Sequence, residues 1–129
     1  MTTRRELILQ QIVTALDAGT TPVYRSRVEP LSRAESPAII VEPNNDSAQQ
    51  TTIGRLDWTL GVRVIVIVRG AIPDQLADPI LQDVHSRIMA DMTLGGYAMD
   101  IIPLAVTFNF SEADGAAGEI QCDYRVMYR

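Results

Sequence analysis

The sequence predicts an α+β fold, a largely antiparallel β-sheet with two helices packed on one of its faces, formed as a single domain over residues 1–129. Three observations carry this prediction. Two segments repeat apolar residues at helical spacing, residues 55–69 alternate apolar and polar positions, and a second alternating pair closes the chain on either side of a turn. With 129 residues and only 5% aromatics, the chain is long enough for one hydrophobic core, and that core must be mostly aliphatic.

Thr3 and Glu6 stand at capping-box spacing, and Ile8, Leu9, Ile12, Val13 and Leu16 follow at helical intervals before Gly19. A helix over residues 4–18 is expected. Residues 23–28 then read as a short strand with Arg25 and Arg27 on one face, stopped by Pro30. Pro37 and Pro43 bound Ala38-Ile39-Ile40-Val41-Glu42, a β-branched run expected to form a short buried strand. Residues 44–52 are polar and without periodicity, which predicts a mobile loop. In the next strand Leu56, Trp58, Leu60, Val62, Val64, Val66 and Val68 share one face, and Gly61 marks a bend or bulge.

Gly70 and Pro73 end that strand, and Asp74 is placed to cap a second helix whose stripe is Leu76, Ala77, Ile80, Leu81, Val84, Ile88, Met89 and Met92. Pro79 interrupts this pattern, so the regular helix is alternatively expected to start at Asp78 with Pro79 at its first position. The paired Gly95 and Gly96 end the helix by supplying positive φ for a tight reversal. Val106, Phe108 and Phe110 alternate with polar residues, as do Ile120, Cys122, Tyr124, Val126 and Tyr128, and the turn-prone residues 113–118 make these a closing hairpin.

Composition narrows the function. The net charge is −5 and every basic residue is Arg, so the basic footprint of a nucleic-acid binder is missing and sequence-specific DNA binding is not expected. Cys122 is the only cysteine, which excludes an intrachain disulfide, and its place in the strand alternation predicts burial. Glu6, Gln10 and Gln11 interrupt the apolar positions after the N-terminal arginines, against a signal peptide. No run approaches the roughly 20 apolar residues of a membrane span, so a soluble protein made inside the cell is expected.

No catalytic constellation emerges, and an enzyme is not expected. His85 is the only histidine and lacks the partners of a zinc set or a catalytic dyad. Asp74, Asp78 and Asp83 lie on a proline-interrupted helix and read as a solvated acidic face more readily than as a cation site. Gly95-Gly96 follows a helix where a phosphate cradle precedes one, and Ser111 has no nucleophile-elbow motif around it. No metal and no cofactor is expected.

One surface stands out. If helices cover one side of the sheet, Ile65 and Ile67 on the opposite side of the long strand are left in water, flanked by Arg63 and Arg69. An exposed apolar patch with a polar rim marks an interface, and these four residues are the expected subunit contact. Cover by residues 29–37 or by the N-terminal helix is the competing reading.

Three segments, taken with the order of elements, carry a resemblance. Pro37-Ala38-Ile39-Ile40-Val41 opens the sheet, Asp91-Met92-Thr93-Leu94-Gly95-Gly96 closes the second helix, and Tyr124-Arg125-Val126-Met127-Tyr128-Arg129 ends the last strand. The sequence thereby resembles, over nearly its whole length, the tail terminator and minor tail proteins of long-tailed bacteriophages. The resemblance implies a non-enzymatic structural protein that forms a hexameric ring on the finished tail tube, stops its polymerisation and offers a surface to the head. Its implied partners are further copies of itself, the major tail tube protein and a head-completion protein. Its implied places are the virion tail and, during assembly, the host cytoplasm. Such a ring closes through heterologous contacts, so each subunit must present two different faces. Asn44, Asn45, Asp46, Gln49 and Gln50 are the expected partner-contact loop. The alternatives are a neck or head-to-tail joining protein, or a small ligand-binding domain with an apolar pocket between helices and sheet.

Overall fold

Thr3 begins the first helix by accepting a hydrogen bond from the Glu6 backbone N–H at 3.1 Å. A computed structural model describes residues 2–27, 36–111 and 117–129, with Thr51 and Ser111 described in their backbone only. Helix α1 (Arg4–Asp17) buries Ile8, Leu9, Ile12 and Leu16. Glu6 does not complete a capping box, because its carboxylate is engaged by Arg25 of β1 (Val23–Arg25). That charge-assisted contact, led by the Arg25 hydrogen bond, holds the Glu6 carboxyl below its ordinary pKa.

Beyond β1 come β2 (Ala38–Thr52), β3 (Arg55–Arg69), α2 (Pro73–Met89), β4 (Asp100–Ser111) and β5 (Ala117–Tyr128). The five strands form one sheet in the order β1-β2-β3-β5-β4. Only β1 and β2 run parallel; the other three pairings are antiparallel. Both helices lie on the same face. There Ile12 and Val84 share one core with Val41, Val64, Val66, Ile120 and Val126, all no more than 1% exposed. The expected α+β architecture is therefore the observed one.

Several boundaries differ from the sequence reading. The largest difference is at residues 44–52, which are not a loop but the outer part of β2, paired with β3 as far as Thr52 opposite Arg55. Apart from Asp46, its described side chains there are exposed on both faces, so the strand carries no alternation, and backbone pairing to the strongly β-forming β3 defines it instead. The bulge falls at Asn44, between the pairs Pro43–Val62 and Asn45–Gly61. Gly61 sits opposite it, where a Cβ would stand 2.5 Å from the Asn45 side-chain oxygen.

Strand β1 ends at Arg25, since Ser26 turns the chain with φ 48. Residues 28–35, including the end of the expected strand, lie outside the described residues. Helix α2 starts at Pro73, not at Asp78, and Asp74 does not cap it: the N-cap is Ile72, with no side-chain hydrogen bond. Proline at the first position needs no backbone N–H, which makes Pro73 a natural start. Pro79 is kept inside the helix on its exposed side, while Ala77, Val84 and Ile88 hold the opposite side in the core. Leu76 and Met92, expected in the buried stripe, are 49% and 42% exposed.

The reversal after α2 is built as its glycines require. Leu94, Gly95 and Gly96 have φ of 50, 73 and 90, three consecutive residues in the left-handed region. Asp91 organises them, accepting hydrogen bonds from the backbone of Gly95 at 2.8 Å and from both the backbone and the hydroxyl of Thr93. These donors, the Gly95 N–H foremost, lower the Asp91 pKa. Leu94 is thereby driven into the core at 3% exposure. Gly95→Val should cost more than about 1 kcal/mol, through strain at positive φ and a Cβ 3.2 Å from the Gln11 side chain. Thermal unfolding measures it, and an unchanged melting temperature would contradict this account of the turn.

Candidate functional site

Three surfaces could meet another molecule, and each follows from where the helices stop covering the sheet. The first is the edge strand β4. Val106, Phe108 and Phe110 stand on the helix-covered face, opposite Cys122, Ile120 and Gly118 of β5. Ile120 and Cys122 are buried beneath α2, but β4 lies one strand farther out, and its three apolar residues are 51%, 48% and 59% exposed. Their alternation in the sequence is that of a half-buried strand, while the reach of α2 leaves them open. The rings of Phe108 and Phe110 lie nearly parallel, 6.4 Å apart.

Glycine sets the height of α2 above this edge. A Cβ on Gly118 would come 2.7 Å from Cβ of Pro73, so the helix start rests directly on β5. Farther along, α2 and β4 diverge into a groove of about 530 Å³ lined by Asp78, Leu81, Gln82 and His85 on one side and Leu104, Val106 and Phe108 on the other. Leu104 occupies the β4 bulge between Pro103 and Ala105 and is 54% exposed. The groove is apolar at its β4 wall and acidic along the helix, where Asp74 and Asp78 are exposed and Asp83 pairs with Arg87 at 2.8 Å.

The second surface is the arm formed by residues 43–52 of β2 and 55–59 of β3. It ends in a two-residue turn where Gly54 has φ 78 and Ile53 is 99% exposed. Of the expected partner-contact residues, Asn44, Asn45, Gln49 and Gln50 are exposed on this arm. Asp46 is not. It points to the helix face, 10% exposed, and its Oδ2 accepts the Tyr128 hydroxyl at 2.5 Å and Arg5 Nη1 at 3.0 Å. Asp46 thus anchors the arm to α1 and β5. Trp58 stacks on Tyr128 at 6.3 Å beside it.

The third surface is the helix-free face, which carries the expected interface residues Arg63, Ile65, Ile67 and Arg69. The expectation that both isoleucines lie in water is overturned for Ile65, which is only 8% exposed. On the central strand β3 it is paired with Ile40 and Gln121, and residues 29–35 of the competing cover lie outside the described residues. Ile67 is half-buried. Arg63 is no isolated rim residue, since it lies 3.7 Å from Glu42 and 3.5 Å from Asp123 across three neighbouring strands. Arg69 is half-buried at the end of β3.

The residues weighed for chemistry are scattered. His85 is exposed at the groove, Cys122 is buried beneath α2, and the side chain of Ser111 lies outside the described residues. Among the described residues no three His, Cys, Asp or Glu side chains gather as metal ligands. Also among them, no helix is long and apolar enough to cross a membrane. Sequence reasoning found the β4 alternation but not its exposure. The signal available was the bulky apolar character of Val106, Phe108 and Phe110 in a strand that also carries Pro103, a residue tolerated at sheet edges. No protein-family model matches the chain, and no curated protein matches it significantly.

Proposed function

We propose that this protein is an assembly subunit that closes into a ring on the end of a phage tail tube, stops growth of the tube and presents a surface for head joining. The observation that supports this most directly is the pair of dissimilar uncovered features on one subunit, an apolar open edge at β4 and a projecting polar arm from β2 and β3. A ring built by rotation needs two different complementary surfaces and no catalytic group. The implied partners are other copies of the chain, the major tail tube protein and a head-completion protein, and the implied location is the virion tail. A ring through which DNA passes also favours a low positive charge, because basic residues facing the lumen would retain phosphates.

Sedimentation velocity over a wide concentration range, with electron microscopy of the protein added to purified tail tubes, tests this reading. Concentration-dependent assembly and capped tubes of fixed length are expected. A strict monomer that leaves tubes growing would exclude it. A second reading, a small non-enzymatic ligand-binding domain, draws on the volume of the groove between α2 and β4, which falls in the range of small-molecule sites.

A further inference from the structure

We infer that β4 of one subunit lies antiparallel beside β1 of the next, Val106, Thr107 and Phe108 against Arg25, Tyr24 and Val23, so that the sheet continues from copy to copy. The inference rests on the ring reading above and names its contact surface. Among the described residues, β1 and β4 are the two ends of the sheet, with nothing hydrogen-bonded beyond either. An open edge with an apolar face is a template for another strand.

Register and direction select the match. Following the cross-strand pairs from one side of the sheet to the other, Val106 is level with Cys122, Val64, Val41 and Arg25. By the same route Thr107 is level with Tyr24, and Phe108 with Val23. All three residues of β1 therefore have a counterpart on β4 at the same height. A closed ring has no net rise, so with its axis along the strands these levels coincide between neighbours. Strand β1 runs with β2 and β5, while β4 runs against them, so rotation alone brings the two edges together antiparallel.

Chemistry agrees on the helix-covered face. Phe108 would extend the apolar layer that Val23 begins on the helix side, covering surface that is open in the isolated subunit.

Cysteine cross-linking tests it, because paired positions on adjacent antiparallel strands approach disulfide distance. The native Cys122 is buried and does not compete. Tyr24→Cys and Thr107→Cys variants, mixed and oxidised, should give a covalent dimer that neither gives alone, and the double variant should give a ladder ending at the ring. Phe108→Asp should stay folded by circular dichroism and sediment as a monomer where the parent protein assembles. Self-linking of Thr107→Cys alone would replace the inference with a two-fold edge contact. Rings that form without any cross-link, or that survive Phe108→Asp, would overturn the edge assignment while leaving the ring reading intact. A parent protein that stays monomeric and caps no tubes would remove both.

Discussion

The free energy of unfolding should fall steeply as pH rises from about 8.5 to about 12, the cause lying in three ionisable groups of β5. Burial, reinforced by the negative charge of Asp123, pushes the Cys122 thiol up to about 11. Burial likewise pushes Tyr124 up to about 12, and Tyr128 is raised by burial and by the hydrogen bond it donates to Asp46. In the unfolded chain a thiol ionises near about 8.5 and a phenol near about 10. A folded-state pKa above the unfolded value means that the native protein holds its proton longer. The stabilisation is fully present below the unfolded pKa and is lost as pH climbs to the folded one.

Cys122 alone should account for a decline on the order of 2–3 kcal/mol between about pH 8.5 and 11, with the tyrosines extending it upward. Urea titrations at half-unit pH intervals measure the slope. Cys122→Val should flatten the part of the curve below about pH 10, where the tyrosines are still protonated in both states. A parent protein whose stability is level from pH 8.5 to 11 would show that β5 is not sealed from water as described.

The second large effect is expected at Asp46. Its carboxylate joins three segments far apart in sequence: α1 through Arg5, the arm through its own backbone, and β5 through Tyr128. Asp46→Ala leaves the Tyr128 hydroxyl, on a residue only 6% exposed, without its acceptor, and frees Arg5. Losing a part-buried, charge-assisted hydrogen bond and stranding its donor should cost about 2–3 kcal/mol. The half-exposed Arg5 contributes little to that figure, because water screens it. Tyr128→Phe leaves the Asp46 carboxylate its Arg5 partner at 3.0 Å, and so should cost only about 1 kcal/mol. Chemical denaturation separates the two variants, and hydrogen exchange should show arm amides near Ser47 and Ala48 losing protection first in Asp46→Ala. Equal stability of the two variants would mean that Tyr128 finds another acceptor and that Asp46 is not the anchor.

The sequence by itself determined the parts whose side chains repeat at the period of their own backbone. The Thr3 cap and the spacing of Ile8, Leu9, Ile12 and Leu16 located α1 to within a residue, because a helix is specified by neighbours three and four apart. The alternation in β3 and β5 located the central strands for the equivalent reason, and Gly95-Gly96 located the reversal because few other residues accept that backbone. Tertiary structure alone decided the rest. Residues 44–52 became strand through hydrogen bonds to β3, which leave no mark in a segment whose described side chains, Asp46 apart, are exposed. Asp46, one polar residue among several, became an anchor only when β2 brought it beneath Tyr128 and Arg5. Ile65 and Phe108 carry the same local signal of an apolar residue in alternation, yet one is buried and the other half-exposed. Local periodicity states which way a side chain points, whereas its burial depends on which strand is central, which is at the edge, and how far α2 reaches across the sheet.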